Sequence, residues 1–130
     1  MQVYISSEKP LPIELQQYCL PTPSNQIHSV LAFADLYLGD SQTMATEAAL
    51  LGTPAIRSNS FVGENDMTNF IMLERKYGLL RNIRDIKQVL EAVRDFACYS
   101  CKKEWQTKRA QYYSVVGDSN NQIVEILTTR

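Results

Sequence analysis

A chain of 130 residues is long enough for one domain with its own core and too short for two. Its apolar fraction of 45% and charged fraction of 21% are those of a globular protein, and a net charge of −1 with interspersed signs lacks the basic face that nucleic-acid binding asks for. No apolar run approaches the roughly 20 residues of a membrane span, and the first residues carry no secretory-signal pattern, so a cytoplasmic location is expected.

Val3-Tyr4-Ile5 reads as a short strand ending at Ser6-Ser7, and so abrupt an opening suggests a piece of a larger protein. Pro10 and Pro12 lead into a short helix over Ile13–Tyr18, where proline suits the first turn. Leu20-Pro21-Thr22-Pro23 is an extended connector with room for a very short edge strand. Asn25 then caps a helix running to Phe33, with Ile27, Val30 and Leu31 on its apolar side.

The stretch from Ala34 to Arg57 reads as strand, polar turn, helix, glycine stop and strand. Leu36-Tyr37-Leu38 is a buried strand that ends in the turn pair Gly39-Asp40. Ser41, Gln42 and Thr43 offer caps to a helix over Met44–Leu51. Gly52 occupies the C-cap position, Pro54 follows, and Ala55-Ile56 resumes a strand. A polar turn between a strand's end and a helix's start aims backbone N–H groups at one point, which suits a phosphate at the positive end of the helix dipole. Asp40, Ser41, Gln42, Thr43 and Met44 make up that turn. Glu47 stands one helical turn further on, on the same side as Thr43. It reads either as a solvated glutamate favoured by the dipole or as a carboxylate that holds a ribose diol.

After the second strand, Ser58–Asp66 is a polar loop at a strand's carboxyl end, where open α/β sheets bind ligands. Asn59, Glu64 and Asn65 could reach a sugar from it, or simply connect the elements. Asn65 or Asp66 caps a helix through Lys76, Tyr77-Gly78 ends it, and Leu79-Leu80 is another short strand. Strand and helix alternate, the mark of a parallel sheet with crossover helices. Asn82 opens a helix from Ile83 to Cys98, and Lys102–Tyr113 is a second, whose Lys102, Lys103, Lys108 and Arg109 read as a solvated face. Asp118 or Ser119 caps a last helix carrying Ile123, Ile126 and Leu127.

Cys19, Cys98 and Cys101 give no disulfide framework. A zinc site at Cys98-x-x-Cys101 would need two more ligands, and the only histidine, His28, is distant in sequence. A thioredoxin-like redox motif belongs at a helix start just after a strand, whereas this pair falls late in a helical stretch. The thiols therefore read as helix-face residues, and neither metal nor cofactor is expected.

ADLYLGDSQTMATEAALLGTPAI resembles the nucleotide-binding core in the C-terminal half of GT-B glycosyltransferases, and in particular a prokaryotic family, domain of unknown function 354. It is similar, more distantly, to MurG-type N-acetylglucosaminyltransferases and UDP-N-acetylglucosamine 2-epimerases. The resemblance is strongest from Ile27 to Gly78 and weak outside it, and Ser41-Gln42 stands where those families often have a turn glycine. It implies that the turn holds a diphosphate and that Glu47 binds the ribose hydroxyls. It also implies that Gln26, Ile27 and His28 face the base, and that a Gly-x-Pro ends the helix, as Gly52-Thr53-Pro54 does.

Together these readings predict an α/β fold. It would be a single Rossmann-like three-layer domain over residues 1–130, with a parallel sheet of about five short strands, equivalent to the C-terminal half of a GT-B enzyme. The implied ligand is a UDP-linked sugar, and the implied partner is a missing N-terminal Rossmann domain. Without that partner, apolar residues of the last helices would lack cover and favour self-association. Half of a UDP-sugar epimerase and a non-catalytic nucleotide-binding module are the alternatives. A receiver-like signalling domain fits less well, because the first strand ends in Ser6-Ser7 rather than an acidic pair. No catalytic base of the chain's own is evident, and base, sugar and acceptor are open.

Overall fold

The computed structural model describes residues 1–129. Its centre is a parallel sheet of three short strands in the order β1 (Tyr37–Gly39), β2 (Ala55–Arg57) and β3 (Arg81–Asn82). Tyr37 pairs with Ala55, Gly39 with Arg57, and Arg57 in turn with Asn82. Helix α1 (Ile27–Phe33) precedes β1, while α2 (Gln42–Leu50) and α3 (Thr68–Arg75) are the two crossovers. Helices α4 (Ile86–Phe96), α5 (Tyr99–Val116) and α6 (Ser119–Thr128) follow the sheet.

Side chains alternate across a strand, so β2 divides the core in two. Ala55 joins Leu31, Ala45, Ala48, Ala49, Phe70, Leu73 and Trp105 from α1, α2, α3 and α5, and Leu79 and Leu80 from the segment before β3. Ile56, its neighbour, joins Ile83 and, from α4, Val89 and Ala92. Helices thus cover both faces of β2. The alanine face of α2 lets that helix lie close to the sheet, and its three buried residues are all alanines.

The sheet has three strands where about five were predicted. The two N-terminal candidates meet only each other, in one parallel bridge between Ile5 and Cys19. Ile5 N donates to Tyr18 O at 2.7 Å and Leu20 N to Ile5 O at 3.0 Å. Val3 and Tyr4 stay exposed, so no burial draws the segment into the sheet. Between them, Ile13–Tyr18 is helical as predicted, in 3₁₀ form.

Several boundaries also differ. The segment before α1 opens as a 3₁₀ turn over Ser24–Gln26 behind Pro23, and Asn25 does not cap it. Leu79 and Leu80 are fully buried but lie before β3, because Gly78 takes a positive φ and Leu79 N donates back to Leu73 O to finish α3. Asn82 belongs to β3, and Asp85 caps α4, its Oδ1 accepting from Lys87 N and Gln88 N at 3.0 and 3.1 Å.

Of the basic residues of α5, Lys103 and Arg109 are exposed as a solvated face requires, whereas Lys102 is not. Lys102 is buried, and its Nζ donates to Ala32 O at 2.7 Å, Ala34 O at 2.5 Å and Thr53 Oγ1 at 2.6 Å. Arg109 Nε donates to Leu50 O at 2.8 Å. Both cations thus satisfy carbonyls at the negative ends of α1 and α2. Trp105 Nε1 donates to Leu79 O at 2.7 Å, so α5 is clasped to the sheet side of the molecule. Burial lowers the Lys102 ammonium below its ordinary range, against a smaller opposing pull from Asp35.

Helix α6, capped by Asp118, keeps Ile123, Val124, Ile126 and Leu127 more than half exposed. Because these side chains bury little, Ile126→Ser and Leu127→Ser should each change the folding free energy by less than about 0.5 kcal/mol. Urea unfolding checks this, and a loss of about 2 kcal/mol or more from either change would contradict the exposed placement.

Candidate functional site

The candidate site lies at the carboxyl ends of β1 and β2. Strand β1 ends at Gly39, and Asp40 turns the chain into α2. Ser41 is the N-cap, with extended backbone, and its Oγ accepts from Met44 N at 3.2 Å. The helix ends in the predicted glycine motif: Gly52, at φ 79°, donates to Ala49 O, and Thr53 N donates to Ala48 O, both at 3.0 Å. Helix geometry leaves the first N–H groups, those of Gln42 and Thr43, without an intrahelical acceptor. Met44 does not share this freedom, since Ser41 satisfies its N–H and its side chain packs on the core.

Glu47 and His28, far apart in sequence, meet here: His28 Nε2 lies 3.2 Å from Glu47 Oε2. Their side chains are 65% and 34% exposed, so the pair is open to solvent. Gln26 is exposed at the cap of α1, and Ile27 is partly buried against the core. Ile27 therefore has a packing role whatever else it touches.

From the other side, the loop after β2 is tied to the turn. Ser58 N donates to Gly39 O at 2.9 Å, and Asn59 Nδ2 donates to the Asp40 carbonyl at 3.0 Å. Asn59 Oδ1 accepts from Phe61 N at 3.0 Å, so both ends of that amide hold the loop in place. Glu64 and Asn65 are exposed, and no hydrogen bond links either side chain to the turn. The structure thus shows two contacts near this edge, Asn59 with Asp40 and His28 with Glu47, the latter one helical turn beyond Thr43. The carboxylates at this edge are Asp40 and Glu47, so an anion here would depend on N–H groups and the α2 dipole.

Two residues that the sequence analysis treated as plain strand residues adjoin the site. Tyr37 folds over Gly39, two positions on along the same face of β1, and a Cβ on Gly39 would overlap the tyrosine hydroxyl. Glycine at 39 is a matter of space. Burial, with a smaller contribution from the Asp40 carboxylate, pushes the Tyr37 hydroxyl up to about 12 from 10.0. The unfolded chain therefore releases this proton first, and the folded state loses stability as pH rises from 10 toward about 12. Tyr37→Phe should flatten that alkaline decline in urea midpoints. Superimposable declines for the two chains would refute the assignment.

Arg57 is the second. It ends β2 fully buried, with its guanidinium 3.8 Å from the centre of the Phe70 ring. Nη2 donates to Asp66 Oδ2, and Nε donates to Asn82 Oδ1 at 2.8 Å. Asn82 N and Nδ2 donate to the Glu74 carboxylate at 3.0 and 3.1 Å. Among the described residues, only Arg57 Nη1 is a buried side-chain nitrogen or oxygen without a partner. The expected cap of α3 is Asn65 or Asp66, but Met67 holds that position; Arg57 takes one Asp66 carboxylate oxygen, and Oδ1 accepts from Met67 N. The sequence signal was an arginine ending an apolar strand with an acid nine residues on, which needs the fold to be read.

Two shallow concavities lie away from this edge, one of about 500 Å³ beside Met1–Tyr4 and Tyr18, the other of about 240 Å³ between Tyr77 and Tyr112. Neither gathers polar groups as the β1–α2 turn does, and the turn is the better-built candidate. No helix among the described residues is long and apolar enough to cross a membrane. Compared with family models, curated proteins and solved structures, the chain gives no match.

Proposed function

We propose that this chain is the donor-binding half of a GT-B-type glycosyltransferase and takes a UDP-linked sugar. The observation that carries the reading is the convergence of Glu47 and His28 beside the Ser41-capped start of α2, at the carboxyl end of β1. In this reading the Gln42 and Thr43 N–H groups hold the diphosphate, aided by the helix dipole. Glu47 takes the ribose hydroxyls, Gln26 and His28 face the base, and the loop pinned by Asn59 approaches the sugar. Oriented N–H groups at that point would stabilise charge developing on the leaving diphosphate. The acceptor and any catalytic base belong to the second Rossmann half, which would also cover the apolar side of α6.

Calorimetric titration with UDP, GDP, CMP and their sugars tests the proposal. UDP and a UDP-sugar should bind, the other nucleotides more weakly. The 130-residue chain alone should show no glycosyl transfer or epimerisation. Sustained multiple turnover by it would contradict the division of labour, and failure of every nucleotide to bind would remove the reading.

A further inference from the structure

Cys98 and Cys101, expected late in a helical stretch, lie instead at a helix start, although α4 rather than a strand precedes it. Helix α4 stops at Phe96, Cys98 is extended at φ −135° and ψ 151°, and α5 begins after it. Cys98 is therefore the N-cap of an 18-residue helix, and Cys101 sits in that helix's first turn. Their sulfurs lie 2.8 Å apart, within about 1 Å of the S–S bond length. Both residues are partly exposed. The Ser100 hydroxyl is 3.2 Å from the Cys98 sulfur, and both thiols point at the Asp95 carbonyl, at 3.5 and 3.3 Å.

We propose that Cys98 and Cys101 form a reversible dithiol–disulfide couple, with Cys98 the attacking sulfur and Cys101 the resolving one. The N-terminal position on a long helix favours a thiolate at Cys98 through the dipole. The two thiols are not equivalent. Hydrogen bonding from Cys101 and then Ser100 lowers the Cys98 thiol, while the bond to Cys98, then burial, pushes Cys101 up to about 11. Metal binding is the lesser reading of such a pair, since no group of three or more His, Cys, Asp or Glu side chains that could hold an ion occurs among the described residues.

The co-reactant is a low-molecular-weight disulfide. Cys98 thiolate attacks one of its sulfurs, forming a mixed disulfide and expelling the other half as a thiolate, which takes up the proton Cys98 released. Cys101, losing its proton to solvent, attacks the Cys98 sulfur; the mixed disulfide breaks and the second thiol leaves with a proton. Two protein thiols are oxidised by two electrons, and one external disulfide is reduced to two thiols.

The test uses the full chain with Cys19→Ser, which removes the third thiol, exposed and distant in sequence. After incubation with glutathione disulfide, intact mass should fall by two hydrogens with no added glutathione, and reductant should restore it. Non-reducing peptide mapping should join Cys98 to Cys101. In the reduced chain, iodoacetamide should label Cys98 about tenfold faster than Cys101. With Cys101→Ser added, glutathione should remain trapped on Cys98. Stable glutathione adducts at both cysteines, equal labelling rates, or disulfides only between chains would overturn the proposal. The mass and mapping experiment on the unsubstituted chain keeps the test decisive if a variant folds poorly.

Discussion

Glu47→Ala should weaken UDP binding by about 10- to 100-fold. The estimate follows from hydrogen bonds to a charged acceptor, worth roughly 1.5–3 kcal/mol, which the ribose diol would lose. Glu47→Gln should lose less, because the amide oxygen still accepts one bond. Folding stability should hardly change. The His28–Glu47 pair is open to solvent, where such pairs are worth about 0–1 kcal/mol, and alanine is the better helix former. Measurable UDP affinity that Glu47→Ala leaves unchanged would sink the ribose assignment while sparing the rest of the site.

Arg57→Met should destabilise the fold by about 3–5 kcal/mol, the usual consequence of leaving one member of a buried ion pair alone. Asp66 would be the member left, its side chain 3% exposed, and Asn82 would lose the donor to its Oδ1. Against a typical total of 5–15 kcal/mol, such a loss leaves a barely folded domain. The pair Arg57→Met with Asp66→Leu should recover much of the loss, since replacing both charges with apolar groups of similar size is often neutral or stabilising. Urea unfolding of the three chains decides the matter. A single-variant loss below about 1 kcal/mol would mean the pair is solvated in a way its burial does not allow. The experiment also bears on the site, because Arg57 is in register with Gly39 and anchors the loop that Asn59 carries to Asp40.

Much of the centre of the molecule was legible from residues alone. Strand, turn, helix, glycine stop and strand occur in the order Leu36–Ile56 predicts, within one or two residues, because each boundary is chemically local, although β1 is only partly buried rather than buried. A hydroxyl cap needs only the next turn of backbone, and Gly52 adopts a positive φ whatever packs above it. Parallel pairing followed from the alternation of strands and helices. The strand count did not, since an apolar triplet such as Val3–Ile5 becomes a sheet strand only if another strand's edge receives it.

What the sequence by itself determined is the local grammar: one α/β domain's worth of chain, the β1–α2 turn, and the capped and terminated α2. What only the tertiary structure decided is every relation between distant side chains. His28 meets Glu47 because α1 and α2 lie together, and nothing in their nineteen-residue separation predicts it. Lys102 looks like any surface lysine until the carbonyls of Ala32 and Ala34 arrive from the other end of the chain to receive it. Arg57 ends an apolar strand, and whether it points to water or is enclosed with Asp66 depends on α3 closing over it. Likewise, the helix expected to run to Cys98 stops at Phe96, and the next begins at Tyr99 rather than Lys102, so Cys98 as an N-cap is visible only in the backbone. Capping and turn chemistry act within a few residues of the chain, whereas burial and charge pairing are properties of the space between elements.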